Sequence, residues 1–225
     1  MWTRLQFRGA VSKENDMNHD NTTKQQITRA VTRIWCIAVL GMAFTFALPS
    51  TAHAQIVIPP VPPGLEVPAG NTAFLLGHGV GTQNYECQPA PASPIGRVAW
   101  TLFTPQATLF NDQGEQIITH FASPNPTEGG IVRVTWQDSQ DTSSVWARAT
   151  AMATVDPNSI PEVRLEVVGR HVGPNGGDTL FGTTFIQRLV TQGGLAPSTG
   201  CDQLPDVGHK AFIPYTAEYV FYREN

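Results

Sequence analysis

Between Glu162 and Val167 the chain alternates strictly: Val163, Leu165 and Val167 are apolar, and Glu162, Arg164 and Glu166 are charged. Successive side chains of a strand point to opposite faces, so this pattern buries one face and wets the other. The same period of two runs through Val98, Trp100 and Leu102. It recurs in Val132, Val134 and Trp136, with Arg133 and Thr135 opposite, and in Tyr215, Ala217, Tyr219 and Phe221. The stretch Asn111 to Gly114 and the polar segment Gln137 to Ser143 read as turns joining neighbouring strands. Two segments are ambiguous. Ala147, Ala149, Ala151 and Ala153 alternate although alanine favours helix. Leu180 to Val190 has helix-compatible spacing, but Gly182, Thr183 and Thr184 lean towards strand. Glycine and proline punctuate the remainder. Seven or eight short strands predict an all-β, single-domain antiparallel sandwich or barrel, with the topology open.

The N-terminal region has a different character. Lys24, Arg29 and Arg33 precede the uncharged run Ile34 to Leu48, and Ala52-His53-Ala54 supplies a small-x-small cleavage pattern. These are the three parts of a secretory signal. The apolar run is shorter than the roughly 20 residues that span hydrocarbon, so cleavage at Ala54–Gln55 is expected rather than a membrane anchor. The predicted organisation is a signal segment over 1–54 with an extended n-region (the true start falling at Met17 in one reading), a proline-rich linker over 55–68, and a β domain over 69–225. The predicted compartment is periplasmic or extracellular, with no membrane span after cleavage.

Export changes both charge and cysteine count. The whole chain has a formal net charge of −4, from 14 basic and 18 acidic residues. Six of the basic and three of the acidic residues lie in the leader, which leaves a net of −7. A scattered acidic surface gives no reason to bind nucleic acid. Cys36 departs with the leader, leaving Cys87 and Cys201 in an oxidising compartment where thiols pair. A disulfide is therefore expected, whereas two cysteines alone make a poor zinc site.

Several motifs along the β domain resemble, in order, those of the family called domain of unknown function 3455. They are Val67-Pro68-Ala69-Gly70, Gly79 to Cys87, Trp100 to Phe110, Asn111 to Gly114, His120-Phe121-Ala122, Ile186-Gln187-Arg188, Gly193 to Pro197, Gly200-Cys201-Asp202 and Tyr215 to Tyr219. The sequence departs from the family pattern at Ser123-Pro124-Asn125-Pro126, where a Gly-Pro-x-Trp-like element is usual. The resemblance implies an exported bacterial or fungal protein of single-domain architecture and is consistent with pairing of Cys87 with Cys201. It implies no activity and no catalytic residues.

Candidate chemistry is sparse. Of the histidines outside the leader (His78, His120, His171 and His209), none has metal-ligand spacing with another. His78 and His120 lie in the segments that best match the family, so His78, His120 and Asp112 form the candidate ligand or metal site, to be met only if they converge in space. Glu86, Asp112, Glu115 and Asp202 are the carboxylates available for paired acid chemistry. There is no Gly-x-Ser-x-Gly elbow. The glycines of Gly77-His78-Gly79-Val80-Gly81 lack dinucleotide spacing and point to a bulge or sharp turn. Trp100, Trp136, Trp146, Tyr85, Tyr215 and Tyr219 form a reservoir of stacking surface. Trp146 lies on the face opposite Ala147, Ala149 and Ala151, which makes it the candidate exposed contact.

The favoured functional reading is a non-enzymatic exported β domain binding an unknown ligand or envelope component, with no cofactor. A secreted metal- or carboxylate-dependent hydrolase and a structural or stress-related envelope protein are the alternatives.

Overall fold

A computed structural model describes residues 56–90 and 97–225. The leader, Met17, Cys36 and the Ala54–Gln55 cleavage site lie outside the described residues. Eight strands follow one another around a closed antiparallel barrel: β1 (Asn71–Pro89), β2 (Val98–Phe110), β3 (Gln116–Asn125), β4 (Ile131–Asp138), β5 (Ser144–Ala153), β6 (Glu162–His171), β7 (Thr183–Gly193) and β8 (Lys210–Glu224). Every neighbour in sequence is a neighbour in space, and β1 closes the cylinder against β8 from Asn71↔Glu224 to Glu86↔Lys210. Among the described residues no helix is long and apolar enough to cross a membrane.

The alternation read from the sequence becomes the division between lumen and outer wall. Val163, Leu165, Val167, Ala217, Tyr219 and Phe221 face inward and belong to one buried cluster with Leu109, Ile118, Trp136 and Val145. The ambiguous alanine segment is β5, and the ambiguous Leu180–Val190 segment is strand β7 from Thr183 onward, because a closed sheet supplies each with partners on both sides. The strands are longer than the punctuation suggested, β1 most of all at 19 residues.

The glycine run explains that length. Gly77, Gly79 and Gly81 occupy alternate positions of one continuous strand, and the bulges of β1 fall elsewhere, at Ala73/Leu75 and Asn84/Tyr85. They neither turn the chain nor bulge it; they let other groups approach. A Cβ on Gly79 would stand 2.7 Å from the Tyr219 ring, and one on Gly81 would stand 2.1 Å from the backbone oxygen of Gln106. An eight-stranded barrel has an interior just wide enough for side chains. Here β1 gives up its own so that the aromatic residues of β8 can fill the space.

Loops close the ends. Leu180, from the β6–β7 connection, is fully buried in the main cluster, its N–H held by Ser143 Oγ at 3.0 Å. At the other end the β7–β8 connection is tied to β1 by the Cys87–Cys201 disulfide, with Cα atoms 5.4 Å apart across a sequence separation of 114. Beside it Tyr85 donates its hydroxyl to Gly194 O, and Trp100 Nε1 donates to Thr199 O.

The proline-rich segment, read from sequence as a linker, lies along the outer wall. Leu65 is buried, Gln187 Nε2 donates to its carbonyl, and Val61 and Val67 pack on Leu189, Val220 and Tyr222. Proline suits such a strap because extended chain without ladder hydrogen bonds is what it prefers.

Three stability outcomes follow from this packing. Gly79→Ala and Gly81→Ala should each lower stability by roughly 1–3 kcal/mol through overpacking, as read by urea denaturation. Gly182→Ala, whose new Cβ meets no atom within 4 Å, should change it by less than about 0.5 kcal/mol. Reduction of Cys87–Cys201 should cost up to about 4–5 kcal/mol in the chain-entropy account, measured by melting with and without reductant.

Candidate functional site

The β1 alternation separates the two histidines that the sequence singled out. His78 points out of the barrel, where Nδ1 lies 2.7 Å from Glu218 Oε2 and Nε2 lies 2.8 Å from Asp112 Oδ1. These two carboxylates raise its pKa, the Asp112 hydrogen bond most of all, against the opposing effect of partial burial. His120, on β3, points inward and is 2 % exposed. The structure therefore brings His78 and Asp112 together with Glu218 but leaves His120 on the far side of the wall. Among the described residues no group of three or more His, Cys, Asp and Glu side chains is arranged to hold a metal.

The other candidates are also dispersed. Glu115 accepts from Asn111, Glu86 from Gln88 and Asp202 from the Gly200 N–H, each at the surface or at a strand edge rather than paired in a cleft. Trp146 points away from the lumen, as alternation with Val145 and Ala147 requires. It is only 8 % exposed, and its indole N–H donates to Ser123 Oγ. Packing of the flanking wall covers most of it, and it meets solvent only as part of the lining of a shallow outer cavity with Phe121 and Pro174.

The polar chemistry lies inside the barrel. A cavity of about 50 Å³ is lined by Gln83, Leu102, Pro105, His120, Val134, Trp136, Val163, Leu165, Arg188 and Tyr219. Its floor is aromatic: the His120 ring stacks on Trp136 with centroids 4.3 Å apart, and Tyr219 sits 5.4 Å from His120. His120 Nδ1 must carry its proton, because its partner at 2.9 Å is the Thr135 carbonyl. Burial holds the ring well below the usual range, at about 3, so it is neutral and presents a lone pair at Nε2. Burial also pushes up the hydroxyls of Tyr215 and Tyr219, which bond each other at 2.8 Å.

Three N–H donors on this cavity have no acceptor: Gln83 Nε2, Trp136 Nε1 and Arg188 Nε. Arg188 Nη2 donates to the Pro161 carbonyl at 2.8 Å, and among the described residues no carboxylate pairs with the guanidinium. An unpaired buried donor costs about 1–3 kcal/mol, and a charged one more. Three such donors, from β1, β4 and β7, line one cavity beside the His120 Nε2 lone pair, and an anionic group would supply them with acceptors.

Arg188 and Gln83 were missed from the sequence for identifiable reasons. Arg188 alternates with Ile186 on the inward face of β7, but the helix-or-strand ambiguity of that segment hid its direction. Gln83 continues the inward series Gly77, Gly79, Gly81, a stripe visible only once those glycines belong to one strand. Arg188 does stand within Ile186-Gln187-Arg188, one of the family-like motifs.

The class thus defined is a closed eight-stranded antiparallel barrel with a donor-lined pocket in its lumen. Residues 68–223 match the model of the family described as protein of unknown function DUF3455, and the chain belongs to that family. No curated protein and no solved structure matches it.

The two histidines act on stability with opposite signs. Below pH 6.5 the unfolded chain protonates His120 and the folded one does not until about 3, so this group removes stability as pH falls through that window. The pKa of His78 is raised above 6.5 on folding, so its contribution is full below 6.5 and is lost as pH rises through the folded value. Urea titrations between pH 4 and 8 should show a shallower loss of stability below pH 6.5 for His120→Gln, whereas His78→Gln should leave that limb's slope unchanged and remove the stability gained as pH falls towards 6.5 from above.

Proposed function

We propose that this protein is a non-enzymatic exported binding protein that holds a carboxylate or similar oxyanion in the barrel lumen. The observation that carries the reading is the set of three acceptor-less donors, one of them a guanidinium, on a single cavity. The volume admits a head group of about three or four non-hydrogen atoms, since each water-sized occupant needs at least ~10–15 Å³ of such space. Leu102, Pro105 and Val134 would take an apolar remainder of the ligand at the rim.

Binding is favoured over catalysis by the lumen chemistry. His120 is too weak a base at neutral pH, and the tyrosines are too weak as acids, to exchange protons with a substrate. Export is supported by the signal-like leader and by the disulfide. A water-facing barrel is supported by ion pairs on the outer wall, Arg148–Glu166 and Arg133–Glu128, over an apolar interior, the inverse of a lipid-facing barrel.

The test is calorimetry and thermal melting of the purified protein with formate, acetate, propionate and phosphate, beside propanol as the uncharged control. An anion should raise the midpoint and propanol should not. Arg188→Gln should weaken the anion by about 10- to 100-fold, the value of a lost charged hydrogen bond. Arg188→Met should abolish the response and raise the midpoint of the ligand-free protein, because it removes a half-buried guanidinium whose Nε lacks an acceptor. No response to any anion, with Arg188→Met less stable than the parent, would assign Arg188 a purely structural role and overturn the proposal.

A further inference from the structure

A second cavity lies outside the barrel. It runs between the proline strap and the β7 bulge and has a volume of about 630 Å³. Small-molecule sites generally occupy clefts of about 300–1,000 Å³, with apolar walls and a few fixed polar groups. Pro60, Pro62, Pro63, Val155 and Val190 form the apolar walls here. The polar group is Glu162, the first residue of β6.

Glu162 is 5 % exposed although it points away from the lumen. Its Oε1 accepts the Val190 N–H at 2.8 Å, and its Oε2 has no partner. Val190 is a β-branched residue held at φ +49°, in the left-handed region that such side chains avoid. That conformation accompanies the register shift of β7 between Leu189 and Gln192, and it turns the Val190 N–H towards Glu162. Asp156 is a second acid on the same cavity, and among the described residues no lysine or arginine lines it, the nearest cation acting on Glu162 being Arg188, whose guanidinium is held by the Pro161 carbonyl. Asp156 is already engaged by Asn158 and Ser159, which leaves Glu162 Oε2 as the free acceptor.

We propose that this groove is a second ligand site, independent of the lumen, and that it takes an organic ammonium ion with an apolar body. The body would lie on the prolines and valines, and the ammonium would supply Glu162 Oε2 with its missing donor. A lone cation would leave the apolar walls uncovered, and a neutral apolar ligand would leave the carboxylate unpaired. Only the combined chemistry satisfies both.

The experiment measures binding of hexylammonium and hexanol to the full-length purified protein by calorimetry. Hexylammonium should bind at least about 10-fold more tightly than hexanol, given the worth of one charged hydrogen bond. Glu162→Gln keeps the shape and removes the charge, so it should bring hexylammonium down to the level of hexanol. Val155→Trp, at an exposed loop position, should block both ligands while Glu162 is intact, which keeps the test decisive if Glu162→Gln misfolds. Equal affinity for hexylammonium and hexanol, or full hexylammonium binding in either folded variant, would overturn the proposal. Neither result depends on whether the lumen binds anions.

Discussion

Eight strands enclose little space, and the way that space is shared governs the rest of this molecule. Along β1 the inward positions at 77, 79 and 81 carry no side chain, and the Tyr219 ring and the β2 backbone occupy the room released. This lets β1 lie along β8 over nearly its whole length and close the cylinder. It also fixes where the aromatic floor of the lumen sits. His120 stacks on Trp136, and Tyr219 meets both rings at a tilt or edge-on, so the remaining cavity lies against these rings beside Gln83 and Arg188. The lumenal cavity is in this sense a by-product of barrel closure.

Much of this was written in the alternation of the chain. Glu162 to Val167 and Tyr215 to Phe221 declared their inward faces, and the turn at Asn111 to Gly114 declared a hairpin. Closure was not legible, because a sandwich and a barrel use the same strands and differ only in whether β1 meets β8. The glycine run misled for a related reason. In isolation glycine weakens a strand, and only the tertiary neighbours Tyr219 and Gln106 turn that weakness into a requirement. The strap was legible only in part: proline set an extended chain, but nothing in a run of prolines tells which hydrophobic wall it will cover.

The site was less legible than the fold. His78 and His120 drew notice by residue type, yet a strand's alternation sent one to each side of the wall. The polar groups that converge are instead an arginine and a glutamine, residue types that ordinarily read as surface. What distinguishes them is their place in an inward series, a property of register rather than composition. Glu162 carries the same lesson on the outside: the alternation correctly set it opposite Val163, but the strap that buries it lies almost a hundred residues earlier.

The disulfide has a consequence for how the seam between first and last strands can form. That seam joins the parts of the barrel most distant in sequence, and pairings of that kind are slow because a long loop must be ordered before any contact rewards it. Cys87 sits next to Glu86, which pairs with Lys210, and only Asp202 to His209 separate Cys201 from Lys210. Once the bond exists, β1 and β8 are joined through sulfur by a connection hardly longer than a hairpin loop. The covalent graph then contains a shortcut that the peptide chain lacks, and the most remote pairing in the barrel becomes one of its most local.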